Sequence, residues 1–198
     1  MAQNYPARIW HNGAIKAWAD GTTHVMAHAL HYGSSVFEGI RAYDVPGGTA
    51  IFRLTDHMKR LFTSAKVYDI EIPYTLAQLN AACREVIQAN GFGKCYLRPI
   101  AFRGLGGFGL SADTPTDVAV AAWEMGAYLG AGVLEQGIDA MVSSWQRPAP
   151  NTIPTGAKAG GNYLSGQLIA REARRLGFGE GIALDTNGLI SEGAGENL

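Results

Sequence analysis

Two of the three Asn-Gly dipeptides, Asn12-Gly13 and Asn187-Gly188, each divide a pair of short apolar runs. Asn and Gly tolerate the positive φ that a type I′ turn demands, so each dipeptide predicts a tight β-hairpin. The first hairpin joins residues 8–10 to 14–18, and the second joins 182–185 to 189–191. A third strand pair, 36–43 and 49–53, flanks the turn Asp44-Val-Pro-Gly-Gly48. Beyond it the apolar spacing becomes helical. Thr55 is expected to cap a helix carrying Met58, Leu61, Phe62 and Ala65. Thr75 begins a second helix with Leu76, Leu79, Cys83, Val86 and Ile87 on one face, stopping near Gly91. Residues 95–102 and 117–123 are strands joined by a glycine loop, and 138–145 is a further strand. A last helix covers 162–176, with Arg171, Arg174 and Arg175 late in it, where the helix dipole favours cations. Strands and helices mix without a regular βαβ alternation, which predicts an α+β fold. The pattern loosens over 126–133, predicting a small α/β domain over 1–127 and a second domain over 128–198.

A chain of 198 residues can bury a proper core, and 47% hydrophobic with 17% charged residues is an ordinary globular composition. A net charge of −1 supplies no electrostatic reason to expect a nucleic-acid or acidic-membrane partner. Cys83 and Cys95 show no CxxC spacing and read as reduced, buried thiols. The N-terminus has no apolar signal core and no apolar run reaches membrane-spanning length, so a cytoplasmic protein is expected.

The chemistry-bearing residues gather in a few segments. Lys158 stands among Gly156, Ala157, Ala159, Gly160 and Gly161, with Tyr163 five positions later. A lone loop lysine is ordinarily a solvated surface residue, but these small neighbours leave space for a flat cofactor. Ser191-Glu192-Gly-Ala-Gly-Glu196 follows, with Glu192 thirty-four positions beyond the lysine. An amine, a phenol and a carboxylate are the three groups that a pyridoxal phosphate enzyme needs. Arg60 lies in His57-Met-Lys-Arg60-Leu, and further segments of interest are Phe37-Glu-Gly39-Ile-Arg41 and Tyr96-Leu-Arg98-Pro. Tyr32, Phe37, Tyr128 and Tyr163 with Leu110 would suit an apolar aliphatic ligand, although core packing is the alternative, evenly balanced for Leu110.

Taken together, these segments resemble the fold-type IV aminotransferases, most closely the branched-chain amino acid aminotransferases. The resemblance runs from Ile9-Trp10 to Leu198. It implies a two-domain, D-amino acid aminotransferase-like fold whose second domain is incomplete here. It also implies pyridoxal 5′-phosphate as cofactor, with Lys158 carrying it and moving the proton between the substrate α-carbon and the cofactor. Glu192, by its spacing, would hold the pyridine nitrogen, leaving Glu196 as a structural carboxylate. Tyr163 would bond the ring oxygen and Arg60 the phosphate, a role that suits guanidinium geometry. Phe37, Gly39, Tyr96 and Tyr128 would line the substrate pocket, and Arg98 would meet the distal carboxylate of glutamate. Tyr32 and Leu110 would reach the site across a dimer interface, which implies a homodimer or higher homo-oligomer.

The reaction implied is transamination of leucine, isoleucine and valine with 2-oxoglutarate. D-amino acid transamination and aminodeoxychorismate lyase activity are sister possibilities, and the Phe37–Arg41 and Tyr96–Arg98 segments favour the branched-chain group. The pattern departs at Met125, where a family member has tryptophan. The sequence ends at Leu198 in what reads as a new strand, so a C-terminal third with the remaining phosphate contacts is expected beyond it, and an inactive fragment is a further reading.

Two other patterns point elsewhere. Gly104-Leu-Gly106-Gly-Phe-Gly109 spells GxGxxG, but the residues after it cannot open the helix that dinucleotide binding requires. His24, His28 and His31 have spacings compatible with one helical face, but no H-E-x-x-H or cysteine partner supports a metal. A packed, hydrogen-bonded histidine cluster and no metal site are expected.

Overall fold

The computed structural model describes residues 5–125 and 133–198. The chain divides into two compact units: residues up to Met125 together with Ala157–Ala159, and the remainder. The boundary expected at 127/128 falls outside the described residues. A division at one point of the sequence would put Lys158 in the second unit, whereas its short segment belongs to the first.

The first unit begins with the hairpin β1 (Arg8–His11) and β2 (Ala14–Ala17), followed by a 3₁₀ turn and α1 (His28–Tyr32). Next come β3 (Ser35–Phe37), β4 (Ile40–Val45), β5 (Gly48–Ile51), α2 (Leu54–Val67), α3 (Leu76–Asn90), β6 (Cys95–Arg103) and β7 (Thr116–Trp123). Among the described residues seven strands make one antiparallel sheet, ordered β2-β1-β7-β6-β4-β5 with β3 also on β6. Asn12 and Gly13 take the positive φ that the first turn requires, at 50° and 92°.

The strand expected over 36–43 is split at Glu38-Gly39, although its register against β6 continues from Phe37↔Ile100 to Ile40↔Leu97. The cause lies opposite. Glu38 N donates to Pro99 O at 2.8 Å, but proline has no N–H to return the bond, so the ladder is interrupted there. The break frees the Glu38-Gly39 peptide for other work.

β6 and β7 alternate buried and half-buried residues, the period-2 signature of a sheet with one covered face. Met58, Leu61 and Ala65 of α2 join Leu79, Cys83 and Val86 of α3 and Leu97, Val118 and Val120 of the sheet in one core. α3 starts with a full capping box between Thr75 and Gln78 and stops at Gly91 in the left-handed conformation. α2 differs from expectation. It starts at Leu54, and the residue before it, Arg53, has φ 48° and makes no side-chain cap. Burial of Leu54 draws the first turn inward, while Thr55 accepts a hydrogen bond from Asn80 instead.

The second unit holds α4 (Val133–Gln136), β8 (Ala140–Val142), a 3₁₀ turn (Gly160–Asn162), α5 (Tyr163–Arg175), β9 (Glu180–Leu184) and β10 (Ile190–Gly193). Its sheet is ordered β10-β9-β8, with β9 and β10 as the predicted hairpin and β8 parallel to β9. The strand expected over 138–145 shortens to three residues, but the chain still tracks β9 through Ser143 N to Ile182 O and Arg147 N to Leu184 O, both 2.9 Å. A Cβ at Gly181 would meet Ile169, so the glycine lets α5 sit close on the sheet. The hydroxyls of Ser143 and Ser144 hold the Glu172 carboxyl below the usual carboxylate range and tie α5 to the end of β8. Residues 194–198 are not a strand. They turn back, with Gly193 N donating to Glu196 O at 2.9 Å. The α+β expectation holds, and among the described residues one strand pair, β8 with β9, is parallel.

Candidate active site

Lys158 is positioned by its backbone. Phe37 N donates to Lys158 O and Lys158 N donates to Ser64 Oγ, each at 3.0 Å. Ala159 bridges Val36, and Ala157 and Ala159 are buried on either side of the lysine. The lysine is thus sewn between β3 and α2. Its Nζ lies 5.3 Å from the Phe37 ring centroid. Arg98 approaches the same ring, with Cζ 4.5 Å from its centroid, and donates through Nη2 to the Tyr96 hydroxyl at 2.9 Å. The buried Arg98 Nε finds no acceptor among the described residues, an unmet donor that a ligand carboxylate could satisfy. Gly39 faces the Tyr96 hydroxyl so closely that a Cβ there would collide with it. Phe37, Gly39, Tyr96, Arg98 and Lys158 are therefore neighbours in the fold.

Arg60 is placed with a partner that sequence reasoning missed. Its Nε and Nη2 donate to the two oxygens of Glu38 at 2.6 and 2.7 Å, and His57 Nδ1 lies 2.8 Å from Glu38 Oε2. The Glu38 side chain is fully buried while Arg60 is 50% exposed. Arg60 and Ser64 are four residues apart on α2, so one helical face carries the guanidinium and the hydroxyl that bonds Lys158. The one signal available beforehand was a glutamate wedged in the apolar run Val36-Phe37-Glu38-Gly-Ile40.

In the second unit Tyr163 opens α5, half-exposed, and Glu192 lies on β10. Arg147 Nη2 donates to Glu192 Oε1 at 2.6 Å, a partner not foreseen from the sequence. Glu196 accepts from Gly195 N at 3.2 Å. Burial first, and then hydrogen bonding to Glu180 and its charge, push the Glu196 carboxyl up to about 7.

The remaining predicted residues lie elsewhere or beyond description. Tyr32 packs on His28 and Phe108 and is 37% exposed, and Leu110 is 87% exposed. Neither is core packing. Tyr128 lies outside the described residues. Each of the three histidines has its own local bond: His24 Nδ1 accepts from Met26 N, His28 bridges Ser34 Oγ and Gly109 O, and His31 Nε2 meets Val25 O. Among the described residues no three His, Cys, Asp or Glu side chains are grouped to hold a metal ion. The 104–109 glycines form the loop between β6 and β7, where Gly104 N donates to Pro115 O at 2.8 Å and no helix opens. Burial raises the Cys83 thiol to about 12 and the Cys95 thiol to about 11, so both are inert at neutral pH. Among the described residues no helix is long and apolar enough to cross a membrane.

The family model for amino-transferase class IV matches residues 35–198. The chain belongs to the class IV aminotransferases. Among its relatives, the branched-chain-amino-acid aminotransferase of Escherichia coli (strain K12) is 59% identical over 192 residues, covering 96% of this chain and 62% of that protein. The Pseudomonas aeruginosa protein of the same name is 45% identical over 191 residues, with the same two coverages of 96% and 62%. A crystal structure of an Escherichia coli branched-chain amino acid aminotransferase superposes with a TM-score of 0.94 at 57% identity, covering 96% of this chain and 63% of that one. A T.th. branched-chain amino acid aminotransferase with pyridoxamine 5′-phosphate superposes with a TM-score of 0.93 at 45% identity, over 98% of this chain and 64% of that one. This class IV chain has the fold-type IV architecture and spans about 62% of the length of the curated relatives it matches.

Proposed function

We propose that the protein represented by this chain is a pyridoxal 5′-phosphate-dependent aminotransferase exchanging amino groups between branched-chain L-amino acids and 2-oxoglutarate. The observation that carries the reading is Lys158. In this class IV chain the lysine is sewn by backbone bonds between β3 and α2, with its amine beside the Phe37 ring that the Arg98 guanidinium also approaches. The names of the relatives favour the branched-chain reaction over D-amino acid transamination or lyase chemistry.

The donor set suits the cofactor. Lys158 supplies the amine, Arg60 a forked guanidinium for the phosphate, Tyr163 a phenol for the ring oxygen and Glu192 a carboxylate for the pyridine nitrogen. When bound, the cofactor supplies an electron sink for the substrate α-carbon. The chain's own residues do the rest. The Lys158 amine would take the proton from the substrate α-carbon and return it to the cofactor carbon on the other side of the transferred nitrogen, and its fixed backbone limits the positions that amine can reach. Arg98, with its unmet Nε donor, meets the distal carboxylate of glutamate. Phe37, Tyr96 and the close approach at Gly39 bound the aliphatic side chain, joined by Tyr128 and, from a second copy, Tyr32 and Leu110. A homodimer or higher homo-oligomer in the cytoplasm follows from this reading. So does a smaller domain over 1–127 and the opening part of a larger, cofactor-binding domain over 128–198, with 157–159 packing into the former.

The test is the visible absorption spectrum of the purified protein with pyridoxal phosphate, before and after leucine. The expected result is a visible band from cofactor held by Lys158 that leucine converts to the pyridoxamine spectrum, with neither change in Lys158→Ala. A band that survives in Lys158→Ala refutes the assignment.

A further inference from the structure

Glu38 has no task in the proposed reaction, yet it is a fully buried carboxylate with three donors aimed at it. A buried carboxylate persists only when paired and hydrogen-bonded, and truncating its partners leaves an uncompensated charge. The two Arg60 bonds form a fork, at 2.6 and 2.7 Å, which fixes the plane of the guanidinium as well as its position. His57 Nδ1, at 2.8 Å, grips the second carboxylate oxygen from the same helix. The backbone of Glu38 is itself fixed, because its N–H donates to Pro99 O. Arg60 nevertheless stays 50% exposed. Together with His57, Arg53 and Asp56 it lines a surface pocket of about 230 Å³. The inner edge of the guanidinium is thus committed to protein while the side chain as a whole borders open space.

We propose that Glu38 is a positioning residue for phosphate binding: it locks the Arg60 guanidinium so that the edge turned away from Glu38 is already aimed at a phosphate monoester, with His57 as the clamp on the carboxylate. The proposal rests on the reading of Arg60 as the cofactor's phosphate ligand. The physical gain is entropic, since an arginine fixed before the ligand arrives loses little rotamer freedom on binding. The split of β3 from β4 opposite Pro99 is what places Glu38 at this point rather than in a continuous ladder.

The experiment compares equilibrium binding of pyridoxal phosphate with that of pyridoxal, the same ring without its phosphate, followed by quenching of intrinsic fluorescence. In Glu38→Gln, affinity for pyridoxal phosphate is expected to fall about tenfold, as for other residues that orient a ligating group, while affinity for pyridoxal is unchanged. Adding Glu38→Gln to Arg60→Ala is expected to cost nothing more. Equal losses for both ligands, or an undiminished affinity for pyridoxal phosphate, overturn the positioning role and leave Glu38 as a tie between α2 and the sheet. If Glu38→Gln does not fold, Glu38→Asp keeps the buried charge but shortens its reach, and the same phosphate-specific loss is expected. An Arg60→Ala variant with unaltered affinity for pyridoxal phosphate shows instead that the reading of Arg60 has failed, and the proposal falls with it.

Discussion

Arg98 and Lys158 place two cations near the Phe37 ring, at 4.5 and 5.3 Å from its centroid. Such contacts stabilise each cation by roughly 0.5–2 kcal/mol and also restrict where it can point. If Arg98 receives the distal carboxylate of glutamate, Arg98→Ala lowers kcat/KM for glutamate by about tenfold to a hundredfold and leaves leucine nearly untouched. Steady-state kinetics with both donors checks this, and equal losses would remove the dual-substrate role. Glu196 makes a separate prediction. Its carboxyl is raised from the ordinary 4.5 to about 7, first by burial and then by Glu180. A carboxyl raised in the folded state favours folding while protonated. Its contribution is complete below pH 4.5 and is lost as pH climbs to about 7. Urea unfolding of the wild type against Glu196→Gln, a neutral isostere at every pH, should therefore show the variant gaining relative stability across that window. At this scale the candidate residues could be picked out from the sequence, because a lysine among glycines and alanines is conspicuous. Their partners could not. Glu38 with Arg60 and Arg147 with Glu192 join residues 22 and 45 positions apart, and no local pattern encodes such pairings.

The helices and hairpins answer to local chemistry where local chemistry is strong. Thr75 accepts from Gln78 N, and the Gln78 side chain returns the bond to Thr75 N at 2.8 Å. Thr75→Ala should therefore cost about 1 kcal/mol, read as a lower denaturation midpoint with unchanged slope, whereas no change would show that the cap is dispensable. The α3 cap and both Asn-Gly turns were readable because each satisfies its backbone within four residues. α2 was misread by two residues, with Arg53 rather than Thr55 at its cap position. Thr55 has the right chemistry for a cap, but burial of Leu54 outweighs it. The division of β3 from β4 was likewise hidden, since its cause is Pro99, some sixty residues away on the neighbouring strand.

For the whole molecule, the two units are stabilised differently. The first closes a helical layer over one face of an antiparallel sheet, while the second is a hairpin with one parallel neighbour and α5. The chain spans 62% of the length of its Escherichia coli relative. Under the proposed function, turnover with leucine and 2-oxoglutarate is expected to be faster in a version extended to the relatives' length than in these 198 residues. Equal rates from the two would show that the site needs nothing more. The sequence by itself determined the α+β class, the capped helix, the two hairpins and the family, because turn chemistry, periodicity and motifs are local properties. Only the tertiary structure decided that the Lys158 segment packs with the first unit, that Glu38 forks onto Arg60, and that Arg98 and Lys158 both approach the Phe37 ring. Each of those depends on which distant backbones lie side by side, and sheet register sets that.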